Sequence, residues 1–97
     1  MHITLENIKA KKASITRLCQ QYHAENIRVF GSVARGESTD NSDIDFLVSF
    51  LPNASLFDQA GLIEDLSTLF ERKVDVVSER AVNPHLQQTI YSEALPL

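Results

Sequence analysis

The sequence predicts an α/β (α+β) fold in a single domain that spans residues 1–97. Helical and strand patterns follow one another in the order helix, strand, short helix, strand, helix, strand, helix. A length of 97 residues is enough for one modest core and too short for a separate substrate-binding domain, so a large substrate would be held partly by another chain. With 43% hydrophobic and 23% charged residues, the composition is that of an ordinary globular protein.

The first half of the chain is predicted to hold one long helix, a strand, a short helix and a second strand. Apolar residues recur at helical spacing over residues 5–24, with Thr4 as the N-cap. Residues 27–30 are short and contain β-branched side chains, which is typical of a strand that feeds a tight turn. Residues 32–35 are expected to open a short helix. Apolar and polar residues alternate over residues 43–50, which predicts a strand with carboxylates on one face.

The second half of the chain continues with a helix, a strand and a helix. Residues 55–72 predict a helix that starts with a capping box and buries a leucine-rich stripe. Residues 73–78 are rich in valine and predict a central strand, although Asp75 places a charge in its middle. Asn83 as the N-cap and a proline at the first helical position predict a last helix over residues 84–93.

Net charge and cysteine content limit the classes of function. Nine Lys and Arg residues against thirteen Asp and Glu residues give a net charge of -4. Because a protein that binds a nucleic acid backbone is usually positively charged, direct nucleic-acid binding is not expected. The single cysteine, Cys19, excludes an internal disulfide and is predicted to be a small core residue of the first helix. Since no signal peptide or transmembrane pattern is present, we expect a cytoplasmic protein with no membrane partner.

Three aspartates carry the strongest functional signal. Asp43 and Asp45 are two residues apart on one predicted strand, so their side chains leave the same face, roughly 6–7 Å apart at their Cβ atoms. Asp75 lies on another predicted strand, and because adjacent strands are about 4.8 Å apart, the three acids could converge on one metal cluster. Carboxylates on a rigid strand suit Mg²⁺, which takes its remaining ligands from water and substrate phosphates; Mn²⁺ would satisfy the same oxygens.

The stretch GSVARG precedes these acids. Gly31 allows a sharp turn, and Ser32 offers a hydroxyl and an amide at an expected helix N-terminus, where oriented N–H groups attract anions. Phosphates on one side and cations on the other describe a site for phosphoryl-type transfer. The Gly-Ser pair or the Asp-x-Asp pattern alone is more often a turn or an acidic strand end. Their order in the chain, together with Asp75, favours a catalytic site.

The stretch GSVARGESTDNSDIDFLV resembles the nucleotidyltransferase superfamily related to DNA polymerase beta, and it is close to the minimal nucleotidyltransferase (MNT) group. The resemblance extends to KVDVVSE and TIYSEALPL and so covers nearly the whole chain. It implies a nucleotidyltransferase fold, with a small mixed β-sheet flanked by helices. It also implies that the nucleotide phosphates are bound by Gly31, Ser32 and Arg35. The catalytic metal ligands that it implies are Asp43, Asp45 and Asp75.

The same resemblance implies an activity and partners. Proteins similar to this minimal form commonly act as the antitoxin half of a prokaryotic toxin–antitoxin pair, beside a HEPN-domain ribonuclease. The implied reaction transfers AMP from ATP to a tyrosine hydroxyl of that toxin and releases pyrophosphate. Asp75 would help to activate the acceptor hydroxyl. GTP, UTP and CTP stay open as donors, because no stretch predicts a base-selective pocket. For Arg35, a phosphate contact and a pair with Glu37 both stay open.

Two other functions stay open at this point. A subunit that adenylylates a small molecule such as an aminoglycoside would usually carry an extra helical domain, which this chain lacks. An antitoxin that neutralises its toxin by binding alone would have no use for three clustered acids, which cost stability unless something neutralises them. Among the remaining polar residues, His2, His23 and His85 lack ligand spacing, and Tyr22 and Tyr91 are expected to pack rather than to be modified.

Overall fold

The computed structural model describes residues 3–97 and contains one four-stranded sheet. Its strands are Ala24–Phe30 (β1), Ile44–Phe50 (β2), Val74–Ser78 (β3) and Leu95–Pro96 (β4). The order across the sheet is β3-β2-β1-β4. Strand β1 runs antiparallel to β2 and β4, whereas β2 and β3 are parallel. The predicted mixed sheet is therefore confirmed.

Helices flank this sheet, and most of them start where the sequence predicts. In the described residues they are Leu5–Lys9 (α1), Lys12–Gln21 (α2), Gly31–Arg35 (α3), Leu56–Phe70 (α4) and Pro84–Glu93 (α5), with a 3-10 turn at Glu79–Ala81. Each of the predicted N-caps Thr4, Ser55 and Asn83 accepts a backbone N–H from the first turn of its helix. These side chains satisfy donors that have no partner inside the helix, which is why short polar residues stand at these positions.

The predicted first helix is in fact two helices. The N–H of Lys11 bonds to the carbonyl of Ile8 at 3.0 Å, a three-residue spacing that tightens the backbone and separates α1 from α2. The hydrophobic pattern does not show this break, because Ile8 and Ile15 are buried on either side of it. Strand β1 also begins earlier than predicted, at Ala24, and β4 was not predicted because two residues are too few to show a period.

The core lies between one face of the sheet and the helices α2 and α4. The buried apolar side chains include Ile44, Phe46 and Val48 from β2, Ile15 and Cys19 from α2, and Leu62 and Leu66 from α4. Cys19 is thus the core residue that was predicted, and burial raises the pKa of its thiol to about 11. In the described residues no helix is long and apolar enough to cross a membrane. Because the core uses one face of β2, the opposite face, which carries Asp45, remains for a site.

Candidate functional site

Gly31 lies directly against the carboxylate of Asp45. In the β1–β2 pair Phe30 stands opposite Asp45, so the chain turns at the next residue, beside this side chain. Gly31 has φ +76°, in the left-handed region that glycine adopts without steric cost. A Cβ at Gly31 would overlap Oδ2 of Asp45 and stand 3.3 Å from its Cγ. Both the backbone conformation and the space beside Asp45 therefore require glycine here.

The turn at Gly31 opens directly into α3, the short helix that the sequence predicts. Ser32 lies in its first turn, and its carbonyl accepts the backbone N–H of Gly36 and, at 2.9 Å, that of Glu37. Gly36 ends the helix with φ +72°, again in the left-handed region. The two glycines thus bracket a compact loop and helix next to the acidic strand.

Asp75 lies beside Asp45 on the neighbouring parallel strand. The register of β2 and β3 places Asp45 opposite Asp75, so that both side chains leave the same face of the sheet. Asp45 is half-buried and Asp75 is exposed. The sheet therefore brings together two acids that are thirty residues apart in the chain, as the sequence predicted.

Asp43 stands one residue before β2, at the edge of this group. Its side chain is 46% exposed, and Nζ of Lys73 lies 3.7 Å from its Oδ2. Within residues 3–97, no three Asp, Glu, His or Cys side chains are grouped closely enough to hold a metal ion by themselves. The three predicted aspartates therefore do not form a complete ligand set in this structure, and their role as metal ligands stays a prediction.

Burial and the neighbouring charges shift the pKa of Asp45. Burial raises the pKa of Asp45, and the carboxylates of Asp75 and Asp43 raise it further. The cations Arg35 and Lys73 lower it, but by less, so that the pKa stays above its usual value. A cation that reached these oxygens would relieve the repulsion among them.

Arg35 is held by two glutamates at the end of α3. Its Nε donates to Oε2 of Glu37 at 2.9 Å, and its Nη1 donates to Oε2 of Glu93 at 3.2 Å. The hydrogen bond to Glu37 and the charges of both glutamates raise the pKa of the guanidinium. Of the two contacts left open for Arg35, the pair with Glu37 is present in this structure, and the contact with Glu93 was not predicted. The only sequence signal for Glu93 is its place in the stretch TIYSEALPL, because it lies 58 residues from Arg35.

A second group that sequence reasoning missed borders the acids on the same face. Arg28 stands opposite Leu47 in the β1–β2 pair and forms an ion pair with Glu79. The hydroxyl of Ser49 donates to the same Glu79. The guanidinium of Arg28 also lies 5.7 Å from the ring centroid of Tyr91, which is a packing residue as predicted. The contacts of Glu79 attach the 3-10 turn to the face of the sheet that carries the acids, and the contact of Tyr91 attaches α5 to it.

The other titratable candidates lie apart from this group. His23 precedes β1 at the end of the sheet opposite to Asp45, and its Nδ1 is 3.4 Å from Oδ2 of Asp58. Tyr22 donates its hydroxyl to Asp65 at 2.5 Å and packs against the core, as predicted. His85 is exposed on the first turn of α5, and His2 lies outside the described residues.

Known proteins share both the sequence pattern and the fold. The family described as polymerase beta, nucleotidyltransferase, matches residues 13–97 of the chain. The chain is also similar to protein adenylyltransferase MntA of Thermococcus cleftensis, with 33% identity over 94 residues, which are 96% of this chain and 95% of that protein. All the predicted site residues, from Gly31 to Asp75, lie within the range that the family matches.

Solved structures show the same fold. A protein described as a "putative minimal nucleotidyltransferase" superposes with a TM-score of 0.87 and 43% identity, over 99% of this chain and 98% of that one. A toxin–antitoxin complex with AMP-PNP matches with a TM-score of 0.74 and 24% identity, over 88% of this chain and 70% of that one. A tri-AMPylated HEPN toxin of Shewanella oneidensis in complex with an MNT antitoxin matches with a TM-score of 0.68 and 20% identity, over 91% and 69% of the two chains.

Proposed function

Because the chain belongs to the polymerase beta nucleotidyltransferase family, we propose that it is an antitoxin that acts as a protein adenylyltransferase. The proposed reaction transfers AMP from ATP to a tyrosine hydroxyl of a HEPN-domain ribonuclease toxin and releases pyrophosphate. The name of the MntA relative, the AMPylated toxin in one related complex and the AMP-PNP in another support this activity. The observation that carries the proposal is the close approach of Gly31 to Asp45, with Asp75 beside it.

Each residue of the site has a proposed task. Gly31 and Ser32 receive the phosphates of ATP at the start of α3, and Arg35 adds a positive charge there. The acceptor oxygen attacks the α-phosphorus, the bond from this phosphorus to the oxygen that bridges to the β-phosphate breaks, and pyrophosphate leaves. Asp75, which is exposed beside Asp45, accepts the hydrogen bond of the acceptor hydroxyl and takes its proton.

The acidic side chains fit divalent cations. Asp43, Asp45 and Asp75 offer only oxygen donors, and burial together with the nearby charges of Asp75 and Asp43 raises the pKa of Asp45. Mg²⁺ commonly uses one or two protein carboxylates and completes its shell with water and substrate phosphates, so a complete protein cage is not required. When bound, two Mg²⁺ or Mn²⁺ ions would stabilise the charges on the attacking and leaving oxygens.

The AMP-modified toxin, which is the proposed product, explains how transfer would inhibit the nuclease activity of the toxin. A nucleotidyl group on a tyrosine near the nuclease site adds bulk and negative charge, which oppose the binding of RNA. The antitoxin would act in a hetero-oligomer with the toxin, in the cytoplasm, where ATP and the RNA substrate of the toxin are present. A protein acceptor also agrees with the acidic net charge of -4.

Intact mass of the toxin tests this proposal. The protein encoded beside this chain is incubated with it, with Mg²⁺ and with each nucleoside triphosphate in turn. We expect the toxin to gain one or more AMP groups with ATP, and none with Asp43→Asn/Asp45→Asn protein. Glu64→Gln removes one negative charge from an exposed position on α4 and should leave the transfer intact. Neutralisation of the toxin without any gain in mass would refute catalysis and favour inhibition by binding alone.

A further inference from the structure

The last turn of α5 is the part of this helix that reaches the proposed nucleotide site. Residues 84–89 are all exposed, whereas Ile90, Tyr91 and Glu93 are half-buried. Tyr91 packs against Arg28 of β1, and Glu93 contacts Arg35 at the end of α3. Two arginines from different elements thus fix this turn beside the acids.

The two glutamates that hold Arg35 differ in burial and in origin. The side chain of Glu93 is 27% exposed, whereas that of Glu37 is 65% exposed. Glu37 accepts the shorter hydrogen bond, at 2.9 Å against 3.2 Å for Glu93, but water and salt weaken its more exposed ion pair. Glu37 follows Arg35 by two residues and moves with the same loop, while Glu93 belongs to a different helix. Glu93 is therefore the contact that orients Arg35 relative to the rest of the fold.

Arg35 can meet a phosphate without leaving Glu93. An arginine has five N–H donors, one on Nε and two on each terminal nitrogen. The glutamates accept one hydrogen bond from Nε and one from Nη1. The second hydrogen of Nη1 and both hydrogens of Nη2 are not used by these glutamates and suit phosphate oxygens.

We propose that Glu93 is a positioning residue for the nucleotide, because it holds Arg35 in the orientation that meets the triphosphate. This inference rests on the proposed function, in which Arg35 contacts the phosphates of ATP. Without Glu93, the long side chain of Arg35 would have to be ordered when the nucleotide binds, at a cost in affinity. The C-terminal helix would thus contribute to nucleotide binding through an arginine that belongs to α3.

Nucleotide binding and steady-state kinetics of matched variants test this role. With Mg²⁺ present, Glu93→Ala is expected to weaken the binding of AMP-PNP and to raise KM for ATP by about fivefold, while kcat stays within about twofold. Glu93→Gln keeps an oxygen acceptor and should fall between Glu93→Ala and the wild type. Glu37→Ala removes the same charge from the same arginine and should leave both constants within about twofold. Thermal unfolding of each variant shows whether it is folded at the assay temperature.

A double-mutant cycle separates positioning from a general structural effect. In the Arg35→Ala protein, Glu93→Ala should cause no further loss of affinity, because the side chain that it positions is gone. Unchanged or tighter binding by Glu93→Ala, or an equal loss with Glu37→Ala, would overturn the inference. If Glu93→Ala fails to fold, the Glu93→Gln variant tests the inference in its place. Binding of AMP-PNP by Glu93→Gln with wild-type affinity would then overturn the inference. A wild-type protein that neither binds ATP nor transfers AMP would refute the proposed function as well.

Discussion

At the scale of single residues, the candidate site depends most directly on Gly31. A methyl group there would overlap Oδ2 of Asp45, so Gly31→Ala must displace the carboxylate or the turn. We expect AMP transfer to fall by about 100-fold or more, because a shift of about 1 Å at reacting groups has effects of this size. The change also places alanine at φ +76°, which costs about 1–2 kcal/mol of stability.

Gly36→Ala is the matched control for this prediction. Gly36 has nearly the same backbone conformation, with φ +72°, but a Cβ there would meet no atom within 4 Å. Both variants should therefore lose stability from backbone strain, and Gly31→Ala should lose more because of the overlap with Asp45. Only Gly31→Ala should lose most of its transfer rate. If the two variants kept equal activity, the close contact between Gly31 and Asp45 would not matter for catalysis.

The raised pKa of Asp45 predicts a dependence of stability on pH. Because its pKa is higher in the folded protein, folding favours the protonated form, and this contribution is lost as pH rises through the raised pKa. Without divalent cations, Asp45→Asn should therefore raise the melting temperature by a few degrees at pH 7, and the gain should disappear near about pH 3. Calorimetry at both pH values measures this difference. A lower melting temperature for Asp45→Asn at pH 7 would contradict a raised pKa of Asp45 in the folded protein.

At the scale of elements, α2 and α4 pack closely through Tyr22 and Gly61. A Cβ at Gly61 would overlap the ring of Tyr22, with 2.9 Å to its Cζ, and the hydroxyl of Tyr22 bonds to Asp65 one turn later. Replacement of glycine by alanine inside a helix normally gains about 1 kcal/mol. Here we expect Gly61→Ala to destabilise the protein by about 1–2 kcal/mol, because the packed ring has to move.

The Tyr22→Ala background tests the packing explanation. With the ring removed, Gly61→Ala should become stabilising, as it would be in an exposed helix. Urea unfolding of the four proteins in this cycle measures both effects. A Gly61→Ala change that stabilised the protein with Tyr22 present would show that the helices separate at little cost.

At the scale of the whole molecule, the net charge of -4 predicts how the chain would associate with the proposed toxin. A ribonuclease binds an anionic polymer, so its nuclease face is expected to be positive and to attract this acidic chain. The association rate constant should fall by about tenfold between 50 and 500 mM NaCl, while the dissociation rate constant changes less. Stopped-flow measurements over this range test the prediction. An association rate that did not depend on salt would argue against electrostatic attraction in the encounter.

The sequence by itself determined the features that depend on near neighbours. The caps Thr4, Ser55 and Asn83 act on N–H groups two or three residues away, so their patterns are visible in the chain. The turn at Gly31 and the alternation around Asp45 are equally local, and the stretch that contains them resembles the family that the match over residues 13–97 confirms.

The sequence indicated that Asp75 could lie near Asp45, but only the tertiary structure decided which distant groups meet. The parallel register places Asp75 beside Asp45, the antiparallel pair brings Gly31 against the same carboxylate, and the packing of α5 brings Glu93 to Arg35. These contacts depend on strand register and on the path of the last helix, which leave no periodic trace in the sequence. The raised pKa of Asp45 has the same origin, because burial and repulsion by like charges arise only when the sheet has assembled.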